Sequence, residues 1–179
     1  MPKPVVIAGA LDTKGPEYQF VRDLIRGRGL ETIVVDFGVL GEPGFEPDIS
    51  SDEVARAGGS SIEELRSSKD KTRAMRTMAE GLAKVVSDLH EQGRLGGLFA
   101  MAGSGGTSIA TTAMRALPVG VPKVMVSTVG GGDVSAYSGS KDIVFIPSIV
   151  DVAGLLRLAE AGEQVTRRMA RGAVAEAAG

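Results

Sequence analysis

The chain has 179 residues, 43% of them apolar and 23% charged, with a net charge of −2. That length suits one domain with a proper core, and the near-neutral balance argues against a broadly basic surface built for nucleic acid. The lack of any cysteine excludes disulfides, thiolate metal sites and a cysteine nucleophile.

The opening MPKPVVIAGALDTKG contains an apolar run too short for the core of a secretory signal. No stretch approaches the roughly 20 apolar residues of a membrane span, so a cytoplasmic location is the expectation. Val5-Val6-Ile7-Ala8 reads as a first strand, continuously apolar as when both faces of a sheet are covered. A helix is expected from about Gly15-Pro16, with Tyr18, Val21, Leu24 and Ile25 on its apolar face and Gly27 or Gly29 at its end. Thr32 to Val35 reads as a second strand ending at Asp36.

The segment GVLGEPGFEPDISSDE follows, and a connection of that length is commonly functional or mobile. Ser51 and Ser61 look like caps of short helices. Met75, Met78, Leu82, Val85, Val86 and Leu89 repeat at three and four, which predicts a long helix over roughly Asp70 to Glu91. Leu98–Met101, Val124–Val126 and Ile143–Ile146 read as three further strands, with a helix over about Thr107 to Leu117.

Five strands with interleaved helices predict an α/β domain over residues 1–150. It is a three-layer, doubly wound, mostly parallel five-stranded sheet, Rossmann-like or flavodoxin-like. Residues 151–179 are expected to form a C-terminal helix that links to a second subdomain or packs on a partner, such as a second copy of the chain.

In such sheets ligands bind outside the carboxyl ends of the strands, and three of those ends are polar and glycine-rich. The most informative is Gly103-Ser104-Gly105-Gly106-Thr107-Ser108, where glycines let backbone N–H groups approach an anion and the next helix adds its positive end. It is neither a GxGxxG fingerprint nor a Walker A loop, and a tight turn with a hydroxyl cap remains open beside a phosphate site. Asp12-Thr13-Lys14 follows the first strand. Lys14 would neutralise phosphate while Asp12 and Thr13 orient a ribose, a water or Mg²⁺, or they cap the helix and Lys14 is solvated. Ser127 and Thr128 offer hydroxyls after the fourth strand, and Asp133 reads as a metal ligand, a base or a turn residue. Asp36 stands where an acid receives ribose hydroxyls in dinucleotide folds, although its spacing from the first glycine is long. Lys71 starts the long helix, within reach of a phosphate or simply solvated. With one histidine and no cysteine, a catalytic zinc site or a serine–histidine triad is not expected.

Taken together, GALDTKG, VVDFGV, GSGGTS, VSTVGGGDV and DIVFIPSIVDVAGL resemble the N-terminal domain of the tomato mosaic virus replication inhibitor family, across about residues 4 to 156. The resemblance implies a Rossmann-like subdomain that binds ATP, with Mg²⁺ as an accompanying ion, usually followed by a second α/β subdomain. It places nucleotide contacts on Asp12, Thr13 and Lys14 and on Gly103, Ser104, Gly105 and Gly106, and further ones on Asp36, Gly38 and Lys71. The chain departs from the family pattern at Val129-Gly130-Gly131-Gly132, at Gly154-Leu155-Leu156-Arg157, and at Lys71, where arginine is common. The second subdomain is not in this sequence, which is read as an excised piece or a short natural form.

Viral inhibition belongs to the plant member's own interaction surface and does not follow from a shared fold. Three functions are therefore weighed. The favoured one is a nucleotide-binding regulatory or interaction module. The others are half of an active site acting on a phosphorylated metabolite, with Asp12 and Asp133 contributing, and an interaction domain without a ligand. No complete catalytic constellation is visible.

Overall fold

The computed structural model describes residues 2–148. Five strands form one sheet: β1 (Val5–Gly9), β2 (Thr32–Asp36), β3 (Gly97–Ala102), β4 (Lys123–Ser127) and β5 (Ile143–Pro147). Their order is β2-β1-β3-β4-β5 and every pairing is parallel. The expected mostly parallel sheet is thus wholly parallel among these strands. This is the flavodoxin-type order, with its topological switch between β1 and β3.

Because side chains alternate along a strand, the two faces carry separate cores. One face packs Val5, Ile7, Val34, Phe99 and Val124 against Tyr18, Val21 and Ile25 of α1 (Leu11–Arg26). The other packs Val6, Val35, Leu98, Ala100 and Met125 under α2 (Ser51–Ala57), α3 (Ile62–Ser68), α4 (Lys71–Glu91) and α5 (Ser104–Ala116). A short α6 (Ser135–Ser138) precedes β5. Both cores draw on β1 and on the edge strand β2, and the two strands are buried along their whole length.

Three helix boundaries differ from the sequence reading. α1 starts at Leu11 rather than at Gly15-Pro16, with a non-helical Lys14 (φ −128°, ψ 28°) where its first turn meets Pro16. α5 starts at Ser104, so Gly105 and Gly106 lie inside its first turn. The cap of α2 is Ser50, in a reciprocal capping box with Glu53, and Ser51 is the first helical residue. Ser61 caps α3 and Asp70 caps α4, in agreement with the expected bounds.

The long 37–49 connection is pinned at many points. Asp48 accepts the N–H of Val34 at 2.7 Å, and Ile49 forms a parallel bridge with Val35 that covers the edge of β2. Arg66 donates to Val39 O at 2.8 Å and to Gly41 O at 2.6 Å, and Arg22 lies 4.7 Å from the centre of the Phe45 ring. Gly44 N donates to Leu11 O at 2.9 Å, and a Cβ on Gly15 would lie 3.0 Å from Gly44 Cα. Backbone meets backbone there, which only a glycine pair allows. The expected C-terminal helix falls outside the described residues.

Candidate functional site

The switch point lies between the carboxyl ends of β1 and β3, so the loops after these strands diverge around a common crevice. The Gly9–Lys14 segment forms one wall and the Ala102–Gly106 segment the other. Residues 37–41 border both: Phe37 lies 3.7 Å from where a Gly106 Cβ would stand, and Leu40 and Gly41 bond to Asp12.

The first turn of α1 is filled from within. Asp36 is buried, and its Oδ1 accepts the N–H groups of Leu11 at 3.0 Å and Gly38 at 2.8 Å. Its Oδ2 is buried without a hydrogen-bond partner. Burial raises the Asp36 pKa above the ordinary 3.8. The Leu11 and Gly38 N–H groups oppose that rise, the Asp12 charge adds to it, and Ser51 offsets it weakly. A residue read as a ribose acceptor thus serves as an internal hydrogen-bond acceptor for the first turn of α1.

Asp12 is also engaged internally. Its Oδ2 accepts from Leu40 N at 2.7 Å and Gly41 N at 3.1 Å, while Oδ1 accepts from Thr13 Oγ1 at 3.1 Å. Gly38 is shaped by this carboxylate, because a Cβ there would lie 2.6 Å from Asp12 Cγ. The single Thr13 hydroxyl proton is shared with Ala10 O, 3.3 Å away. The three DTK positions therefore fold onto the 38–41 loop and the kinked first turn, and two of their side chains act as ties within the protein.

The start of α5 is built differently. Gly103 stands at the N-cap with no side-chain cap. Thr107 N bonds back to Gly103 O at 2.9 Å, and among the described residues no acceptor faces the N–H groups of Ser104, Gly105 and Gly106. These groups, with the positive end of a 13-residue helix, form a site suited to an anion. Ser104 and Ser108 are exposed, and the space beside Gly105 is bounded by Met75 Cε, 3.6 Å from an added Cβ. Lys71 is exposed one helical turn before Met75 on α4, so both occupy the helix face that meets α5.

Thr107 and Ser127 support this turn. Both are buried, their hydroxyls lie 2.6 Å apart, and Thr107 also donates to Gly103 O at 2.8 Å. Ser127 Oγ accepts from Val129 N at 3.2 Å. Thr128 is exposed, and its N–H reaches Ala102 O at 3.4 Å. Asp133 accepts from Ser135 N at 2.9 Å, and that bond holds its carboxyl below the usual range. Of its three sequence readings, this geometry matches the turn.

Sequence reasoning missed Tyr18, which it placed only on an apolar face. The fully buried hydroxyl of Tyr18 lies 2.9 Å from Ala8 O, 2.5 Å from Met101 O and 2.9 Å from Met101 N, directly beneath the crevice. Burial pushes its phenol pKa up. The signal available was Gly9, since a Cβ there would stand 2.1 Å from the Tyr18 ring.

Comparison with known proteins agrees with the motif resemblance at the level of the family. The chain belongs to the uncharacterised protein family UPF0261, matching its N-terminal domain over residues 3–178. It is 52% identical over 155 residues to a UPF0261 protein of Clostridium tetani, covering 87% of this chain and 38% of that protein. A UPF0261 protein of Rhizobium meliloti is 36% identical over 156 residues, with the same coverage of 87% and 38%. The ToMV resistance protein Tm-1(GCR237) of Solanum lycopersicum is 40% identical over 82 residues, 46% of this chain and 11% of that protein. The chain thus spans about 38% of the length of the bacterial relatives. Among the described residues, no helix is long and apolar enough to cross a membrane.

Proposed function

We propose that this UPF0261 domain is a nucleotide-binding module that holds the phosphates of ATP at the N-terminus of α5. The observation that carries the reading is the uncapped first turn of α5, whose glycines and N–H groups, unpaired among the described residues, open onto the β1/β3 switch point. Gly103, Ser104, Gly105 and Gly106 supply main-chain donors, and Lys71 supplies a mobile positive charge from α4. Asp36 and Asp12 are ties rather than ligand contacts, because both carboxylates already accept internal N–H groups. Thr107 and Ser127 hold the turn from below.

A bound ligand of this kind raises the melting temperature in proportion to the logarithm of its concentration once the site saturates. The test is a thermal-shift series with ATP, ADP, GTP, NAD and inorganic phosphate, each with and without Mg²⁺. A rise with ATP that follows the logarithm of its concentration supports the reading, and a flat response to every nucleotide at millimolar concentration contradicts it.

A further inference from the structure

The parallel ladder between β1 and β3 runs in register from Val5 opposite Gly97 to Ala8 opposite Ala100, and stops there. Its alternation fixes what comes next. Leu98 N donates to Pro122 O on the β4 side, so the polar groups of odd-numbered Met101 face β1. The next regular bond is therefore Met101 N–H to Ala8 O. The Tyr18 hydroxyl stands in its place, accepting from Met101 N at 2.9 Å and lying 2.9 Å from Ala8 O. The same hydroxyl lies 2.5 Å from Met101 O, so its single proton is shared between two carbonyls.

We infer that Tyr18 is the positioning residue of the crevice, a hydroxyl wedge inserted between β1 and β3 at the topological switch. The inference rests on the ligand site proposed above and adds what holds that site open. One oxygen atom replaces a direct strand-to-strand bond, so the two backbones separate one residue before the loops that line the crevice. Gly9 is the sequence partner of this device, because its missing side chain is where the Tyr18 ring crosses β1. The hydroxyl contributes no ligand contact itself. It sets the separation between the Gly9–Asp12 wall and the Gly103–Gly106 donors.

The test compares the whole chain with Tyr18→Phe by amide exchange and by ATP titration at a temperature where both are folded. Phenylalanine keeps the ring and leaves Met101 N and O without their partner. Exchange at Met101 is expected to rise roughly tenfold or more while Val6 and Phe99 stay protected. ATP affinity is expected to fall by about tenfold. A role in general stability alone would lower the melting temperature and leave the affinity of the folded variant unchanged, which would overturn the inference. If the variant does not fold, the wild-type protein decides. A slowly exchanging Tyr18 hydroxyl proton in contact with the Met101 amide supports the wedge, and its absence overturns it. Failure of the wild-type chain to bind ATP would contradict the functional reading. The wedge would then stand or fall on the Met101 and Tyr18 protons.

Discussion

Asp36, the last residue of β2, accepts the N–H of Leu11, the first residue of α1, at 3.0 Å. An internal carboxylate thereby takes the helix end that a phosphate would otherwise approach. Burial holds its native pKa above 3.8, so the folded state binds this proton more tightly than the unfolded chain. The sign follows: its contribution to stability is full below 3.8 and is lost as pH rises through the native value. Asp36→Asn keeps an oxygen for Leu11 and Gly38 and removes the titration. Urea unfolding of the two proteins across acidic to neutral pH should show wild type losing ground to the variant as pH rises. Parallel curves would contradict this account.

Glycines 105 and 106 should separate binding from packing. Among the described residues, a Cβ on Gly105 meets only the end of the Met75 side chain, with Cε at 3.6 Å, whereas one on Gly106 would stand 2.6 Å from Ala102 Cβ. Gly105→Ala is therefore expected to leave stability unchanged or raise it by up to about 1 kcal/mol, while crowding the donors and weakening ATP binding. Gly106→Ala is expected to destabilise by about 1–3 kcal/mol through overpacking. Thermal unfolding and calorimetric titration read the two effects separately.

Lys71 is exposed at the start of α4. Lys71→Met should change stability by no more than about 0.5 kcal/mol. It should lower ATP affinity roughly tenfold, the loss of one charge-assisted bond, and reduce the salt dependence of binding. An unchanged affinity would remove Lys71 from the site.

The opposite end of the sheet supplies a control. Lys123 opens β4, is fully buried, and bonds Asp142 Oδ1 at 2.8 Å, Pro118 O at 2.7 Å and Val121 O at 2.8 Å. Burial works to raise the Asp142 pKa, but Lys123 and the Gly120 N–H hold it below 3.8. Its stabilisation is present above that value and lost as pH falls through the native one. Asp142→Ala strands a buried ammonium and should cost about 3–5 kcal/mol. ATP affinity of the folded variant should not change.

The fold was legible because β1 to β5 are short apolar runs punctuated by glycine and polar residues, and because the stripe from Met78 to Leu89 has one period. The helix starts were not. Lys14 interrupts α1 with non-helical dihedrals, and Gly105-Gly106 reads as loop although it forms the first turn of α5. The Ser50 cap carried a usable signal in its spacing to Glu53. Site roles divided on the same ground. A glycine run before a helix announces donors, but whether Asp12 and Asp36 point to solvent or into the protein depends on the 37–49 connection. The anchors of that connection at Arg66 and Asp48 are long-range pairings that no local pattern encodes. Tyr18 was hidden for a related reason, since helical periodicity marks a buried ring and says nothing of where its hydroxyl lands.

The central claim is that ATP phosphates sit on the first turn of α5 and not on that of α1. Titration of ATP into the isotope-labelled chain, followed by amide resonances, tests it directly. The account predicts saturable shifts concentrated at Ser104, Gly105 and Gly106, with a smaller response at Lys71 and little at Leu11, which Asp36 already holds. Shifts confined to Leu11–Lys14, or none at millimolar ATP, would contradict it.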